Sequence, residues 1–306
     1  MSRIVRIVTS SFGMLEQVSP PFNLSVPTRE ENVRRASEIL AAAGSYQADL
    51  VLLPEAFVLA GMPATASRLV AEEAGGPVVE MLAGAARAHR ANIVAGHLIR
   101  EGGRIFNRAL VFGRDGQLVG WYDKLHPVGN ERDAGVAPGA TVGVFELDIG
   151  RIGVATCFDI NWPDIWSAMA HRKVDLACWL SAYDGGFPLR SYAWQHQYPI
   201  VSSVYSYHAG VYDITGDATI LTSRWQRIGY YELNLDRTLF HTDGNAAKIV
   251  AIQKRYGPNV VVRSYTEEHL FVVECRDAGL SIADVISDFE LEPYGEYISR
   301  CSVTSD

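Results

Sequence analysis

The chain has 306 residues, 48% of them hydrophobic and 20% charged, the make-up of an ordinary globular protein and not of a disordered or fibrous one. A net charge of −8 without any Lys/Arg run argues against a nucleic-acid partner, and no apolar run reaches the roughly 18 residues that a membrane helix needs. The four cysteines, Cys157, Cys178, Cys275 and Cys301, lie far apart, and the eight histidines form no metal-binding pattern. No metal or other cofactor is expected, and the expected compartment is a reducing cytoplasm.

Residues 1–8 read as a first strand and not as a leader, and 10–27, with Pro20, Pro21 and Pro27, as a loop. Thr28-Arg29-Glu30-Glu31 is a capping box that opens a helix with Val33, Ala36, Leu40 and Ala43 on one face. The run Asp49-Leu50-Val51-Leu52-Leu53 predicts a strand buried on both faces, ending at Pro54-Glu55. Pro77 opens a second helix to about His89, followed by a strand over 93–99 and a hairpin, 105–112 with 117–122, around Asp115-Gly116. After a Gly/Pro-rich loop at 125–142, two strands cross a turn at Gly150, and a helix covers 163–171. A buried strand over 174–181, a helix over 189–197 and strands over 200–207, 218–222 and 229–234 complete the regular part. Helices near 245–256 and 281–290, with a strand at 270–274 between them, close the chain. Strands alternating with helices, plus hairpins, make an α/β layered fold, read as one continuous domain over 1–306.

The stretch Arg151-Ile152-Gly153-Val154-Ala155-Thr156-Cys157-Phe158-Asp159 organises this pattern: a run of small and β-branched residues ends abruptly at a cysteine, just before a helix near Pro163. Backbone N–H groups free at a helix start favour a thiolate and later an oxyanion, so Cys157 is well placed as a nucleophile. An inert core cysteine is the structural alternative. Two other polar residues also stand where apolar strands finish, Glu55 after Leu52-Leu53-Pro54 and Lys124 after Trp121-Tyr122-Asp123. In layered α/β folds, sites gather beyond the carboxyl ends of strands. A glutamate there can take the thiol proton as general base, and a lysine can lower the thiol pKa and donate to a developing oxyanion. Capping for Glu55 and a solvated loop position for Lys124 remain open on spacing alone.

Leu53-Pro54-Glu55-Ala56-Phe57, Tyr122-Asp123-Lys124-Leu125-His126 and Gly153-Val154-Ala155-Thr156-Cys157-Phe158-Asp159 resemble the three signatures of the nitrilase superfamily, the carbon–nitrogen hydrolases. Asn107-Arg108-Ala109-Leu110-Val111-Phe112 with Asp115-Gly116 resembles the hairpin that leads into the family lysine, and the resemblance covers about residues 3–235. It implies a four-layer α-β-β-α sandwich and a Glu-Lys-Cys triad acting on C–N bonds. Glu55 would be the general base, Lys124 the oxyanion stabiliser and Cys157 the nucleophile that forms a thioester. The Phe158 backbone N–H would be a second oxyanion donor. Glu131 matches the further glutamate that many members carry, with a surface pair to Arg132 as the alternative. His126 would be a packed neighbour of the site, and Asp159 and Asn161 braces for the elbow.

Cys157-Phe158-Asp159 followed by Trp162-Pro163 resembles the amidase and carbamoylase branch more than true nitrilases, which usually show Cys-Trp-Glu. The implied activity is hydrolysis of a small-molecule amide with release of ammonia or an amine. A nitrilase, an N-carbamoyl hydrolase, an acyl transferase or a catalytically idle binding protein on the same fold are the alternatives. Phe158, Trp162 and Tyr183, with Trp194, are candidates to line the substrate pocket, with core packing as the alternative for Trp162, Tyr183 and Trp194, and Cys178 reads as structural. The segments Asp184-Gly185-Gly186-Phe187-Pro188 and Ser202-Ser203-Val204-Tyr205-Ser206-Tyr207-His208 depart from the family pattern, which leaves the substrate open. Residues from about 236 to 306 read as a divergent C-terminal extension, with an oligomer interface as one expectation for it. Relatives imply a homodimer or larger homo-oligomer.

Overall fold

The computed structural model describes residues 3–13 and 26–302; most of the loop expected at 10–27, with Pro20 and Pro21, lies outside the described residues. The chain folds as two compact units, Arg6–Tyr231 and, separately, Met1–Val5 with Glu232–Asp306.

Two sheets make up the larger unit, which takes the parts of Ile4–Ser10 and Ile228–Asn234 that fall within Arg6–Tyr231. In the first, strands run in the order Ile228–Asn234, Ile4–Ser10, Leu50–Leu53, Asn92–Glu101, Arg104–Phe112 and Leu118–Asp123, with short strands Glu72–Glu73 and Val136–Ala137 added at its rim. Leu50–Leu53 is parallel to both of its neighbours and wholly buried, as its continuous apolar run requires. The later strands meander antiparallel, with Arg108 opposite Asp123. The second sheet runs Ala218–Leu221, Gly210–Tyr212, Ile200–Val204, Leu176–Ser181, Gly150–Thr156 and Gly143–Leu147, with its three central strands parallel.

Helices Arg29–Ser45 and Pro77–His89 join the first sheet in one apolar cluster that includes Ile39, Leu40, Leu82, Val51 and Ile93. Helices Pro163–His171 and Phe187–His196 join the second sheet in another, which includes Trp166, Met169, Leu189, Ala193 and Trp179. The layers are α-β-β-α. Between the sheets, Ser203 Oγ donates to the Ser10 carbonyl at 2.8 Å, and within the first sheet Ser10 Oγ donates to the Leu52 carbonyl at 3.1 Å. The capping box behaves as the sequence predicts, with Thr28 Oγ1 accepting from Glu31 N–H and Glu31 Oε2 accepting from Thr28 N–H at 2.7 Å.

The smaller unit contains a three-stranded antiparallel sheet, Arg237–His241, Leu270–Cys275 and Val260–Tyr265, with helices Ile249–Tyr256, Ile282–Phe289 and Tyr294–Cys301. Phe240, Ile252, Phe271, Val273, Val285 and Leu291 are its buried core.

Candidate active site

Each functional side chain stands just beyond a strand end or on the strand next to one. Leu53 ends its strand, and the chain turns sharply at Ala56, whose φ is +33°. That turn presses the backbone of Glu55 and Ala56 against Gly96 on the neighbouring strand. A Cβ at Gly96 would sit 2.5 Å from Ala56 N and 2.5 Å from Glu55 Cα, so only glycine fits. The Tyr205 hydroxyl donates to the Ala56 carbonyl at 2.9 Å and holds the turn from the second sheet.

Lys124 is 1% exposed and Glu55 is 4% exposed, a burial that charged side chains tolerate only when paired. Lys124 Nζ donates to Glu55 Oε1 at 2.7 Å and to Glu131 Oε2 at 2.7 Å. Glu131 is placed by the short helix Gly129–Asp133, which forms inside the segment expected to be loop. Its carboxylate accepts from Val128 N–H at 2.8 Å and so caps that helix while facing the lysine. Glu131 is therefore held by Lys124, and Arg132 instead donates to the Pro127 carbonyl at 3.0 Å. Asn107 Nδ2 completes the ring, 2.8 Å from Glu55 Oε1 and 2.7 Å from Glu131 Oε1.

Cys157 terminates Gly150–Thr156 with φ +50°, a left-handed conformation that a side chain adopts at a cost. The 3-10 turn Cys157–Asn161 begins at the cysteine itself, ahead of the helix Pro163–His171. Asp159, wholly buried, braces this elbow: its carboxylate accepts from the Tyr122 hydroxyl at 2.7 Å, His126 N–H at 2.9 Å and Thr156 N–H at 3.3 Å. Trp179 Nε1 donates to the Cys157 carbonyl at 3.1 Å. The Glu55 carboxylate and the Ala182 backbone N–H are the neighbours that, with Lys124, bear on the thiol.

The electrostatics follow from this crowding. Burial pushes the Cys157 thiol up and the Glu55 charge pushes it further, while Lys124 pulls the other way and loses. The lysine thus acts in the expected direction, yet the thiol stays protonated at rest. Burial also raises Glu55, against the pull of Lys124 and with the push of Glu131. Burial alone would lower Lys124, but Glu55, Cys157 and Glu131 outweigh it and hold the ammonium charged. A carboxylate on the thiol, with a fixed ammonium between two carboxylates, is suited to removing the thiol proton only when an electrophile arrives.

Around this centre, His126 is a packed neighbour: its ring stacks on Trp162 at 3.6 Å with 3° between planes, and Nδ1 lies 2.9 Å from Asp159 Oδ1. Phe158, 39% exposed, meets Trp162 edge-on at 5.4 Å. The Tyr183 hydroxyl lies 3.5 Å from the Cys157 carbonyl. Asn161 Nδ2 donates to the Phe158 carbonyl at 2.9 Å, and Cys178 is fully buried in the second sheet. The two segments that depart from the family pattern are tied together, because Asp184 accepts from Ser206 Oγ and from His208 N–H at 3.0 Å. Sequence reasoning does not place Asn107, Gly96, Trp179 or Ala182 at this site. Only Asn107 carries a signal, a polar amide inside the apolar run Ile105-Phe106-Asn107-Arg108-Ala109-Leu110.

The carbon-nitrogen hydrolase family model matches residues 16–230. The chain belongs to that family. Its curated relatives include a bifunctional nitrilase/nitrile hydratase of Lupinus angustifolius, 32% identical in an alignment 164 residues long that covers 47% of this chain and 47% of the relative. A chloroplastic omega-amidase of Arabidopsis thaliana is 27% identical over 169 residues, 51% of this chain and 46% of the relative. The chain thus spans about half the length of the curated relatives it matches. Among solved structures, a Nesterenkonia amidase from the nitrilase superfamily superposes with a TM-score of 0.65 at 19% identity, over 76% of this chain and 91% of that one. A nitrilase-superfamily member from Saccharomyces cerevisiae gives 0.64 at 19% identity, over 83% and 95%. These likenesses establish the four-layer sandwich. Among the described residues no group of three or more His, Cys, Asp or Glu is arranged to hold a metal ion, and no helix is long and apolar enough to cross a membrane.

Proposed function

We propose that this protein hydrolyses the C–N bond of a small amide through a thioester on Cys157. The observation that carries the reading is the buried Glu55–Lys124–Glu131 hydrogen-bonded set with the Cys157 thiol beside it, beyond the strand ends of both sheets. As the amide carbon approaches, Glu55 takes the thiol proton and sulfur attacks the carbonyl carbon. Lys124 Nζ and the Phe158 backbone N–H receive the developing oxyanion. Glu55 then returns the proton to the departing nitrogen, ammonia or an amine leaves, and a water activated by the same carboxylate releases the acid. Glu131 keeps the ammonium oriented throughout. Phe158, Trp162 and Tyr183 supply an apolar, partly aromatic rim for the acyl group.

A nitrile is the second reading, favoured by the likeness to a nitrilase/nitrile hydratase. Ammonia release measured over aliphatic amides, aromatic amides, N-carbamoyl amino acids and nitriles separates the two. We expect turnover on amides that vanishes in Cys157→Ala; ammonia from nitriles alone overturns the amidase reading.

A further inference from the structure

Asn107 is 2% exposed and sits in the strand Arg104–Phe112. It contacts three of the four groups of the site. Its side-chain amide nitrogen lies 2.8 Å from Glu55 Oε1 and 2.7 Å from Glu131 Oε1, and its backbone carbonyl accepts from Lys124 N–H at 2.9 Å. An amide NH2 carries two hydrogens, so each carboxylate receives one. Turning the amide over would set Oδ1 against two carboxylate oxygens, which fixes its orientation. In that orientation Asn107 Oδ1 is buried without a partner, a cost the fold carries in order to point both donors at the glutamates.

Lys124 spans the same two carboxylates from its own side, through Glu55 Oε1 and Glu131 Oε2. One ammonium offsets one negative charge; two carboxylates confined in one buried site leave a second. The remaining groups that face Glu55 are the Cys157 thiol and the phenols of Tyr183 and Tyr205, and burial holds all three in their neutral forms. None of them supplies a cation. Beside the Val128 N–H on Glu131 Oε2, the amide is the donor that favours the second charge, and on Glu55 it is the one donor besides Lys124.

We propose that Asn107 is a positioning residue that holds Glu55 and Glu131 around Lys124 and favours the charged carboxylate of Glu55, so that Glu55 is ready to accept the Cys157 proton. The inference rests on the reading of Glu55 as the base. A hydrogen bond donated to a carboxylate favours its charged form; removing it lets Glu55 take up a proton at higher pH. A base that is protonated cannot receive the thiol proton, so reaction at Cys157 becomes more acid-sensitive.

The test is the pH dependence of Cys157 alkylation by iodoacetamide, followed by mass spectrometry of the Cys157 peptide, in wild type, Asn107→Leu and Asn107→Asp. Asn107→Leu removes both donors at similar volume, and the isosteric Asn107→Asp, which adds a third carboxylate, carries the test if the leucine variant does not fold. We expect the acid limb to move up by about one pH unit in Asn107→Leu and further in Asn107→Asp, with the rate largely recovered at high pH. A limb that stays in place while the plateau falls assigns Asn107 to packing and overturns the proposal. Alkylation requires no substrate, so the two readings fail separately. Labelling of Cys157 without amide turnover in the wild type defeats the amidase reading, and the limb still decides the role of Asn107.

Discussion

In the unit Arg6–Tyr231, the buried polar side chains around Cys157 bond to one another: Lys124 with Glu55 and Glu131, Asn107 with both glutamates, Asp159 with the Tyr122 hydroxyl. In the unit that holds Glu232–Asp306, the buried Asn234, Asp236 and Asn245 bond to the backbone. Asn234 Nδ2 donates to the Cys275 carbonyl at 2.7 Å, Asp236 Oδ1 accepts from Ile282 N–H at 2.9 Å, and Asn245 Nδ2 donates to the His241 carbonyl at 3.0 Å. The second arrangement is turn and cap chemistry, which stabilises a fold. The first gathers charge in a low-dielectric site, a poor way to add stability and a common way to build reactivity. The family match, residues 16–230, stops within a residue of the first unit's boundary at Tyr231, so the family and the charged cluster share one unit.

The sharpest way to break this contrast is Lys124→Met. It strands two buried carboxylates, so we expect a loss of about 3–5 kcal/mol in urea unfolding and a fall of about 10³-fold in kcat. Near-wild-type unfolding would mean that the cluster is not charged as drawn. In the other unit, Phe271→Ala removes a fully buried ring from the sheet core. We expect a loss of about 3–5 kcal/mol with kcat/KM per folded molecule unchanged, measured by active-site titration. Gly96→Ala comes next: its Cβ must displace the backbone of Glu55 and Ala56. A fall of about 10²-fold in kcat/KM that exceeds any change in unfolding midpoint is the expected result.

The most gradual effect concerns His97, a wholly buried imidazole in the first unit that burial and Arg29 push down to about 3. Glu72 Oε2 lies 3.3 Å from Nε2 without forming a hydrogen bond, so burial decides the direction. The unfolded chain binds a proton there below about pH 6.5 and the folded chain does not until about 3, so stability is lost as pH falls through that window. Compared with His97→Gln, wild type should lose up to about 1.4 kcal/mol per pH unit between pH 6 and 4 and nothing above 7. Parallel urea titrations of the two proteins read the difference.

Much of this architecture is legible in the chain because local and global signals agree. Thr28 with Glu31, Pro77 and Pro163 mark helix starts at Arg29, Pro77 and Pro163, and the apolar run 50–53 marks a doubly buried strand. Glu55, Lys124 and Cys157 are visible because each interrupts an apolar strand where it ends. The sequence does not show the helix that carries Glu131, which is five residues long inside a Gly/Pro-rich segment. Gly210–Tyr212 is too short to register, and Arg237–His241 and Val260–Tyr265 mix polar and apolar residues without strict alternation. Convergence itself is invisible to spacing. The thiol's resting protonation shows the same limit, because burial depends on the packed fold and not on the neighbours in sequence.

The measurement that bears most directly on the central claim is acid-quenched mass spectrometry of the protein mixed with an amide that it turns over. The account predicts an adduct of the acyl mass on the Cys157 peptide that forms before the acid product and decays as that product appears. Turnover that proceeds with Cys157 unmodified, or that persists in Cys157→Ala, would contradict it.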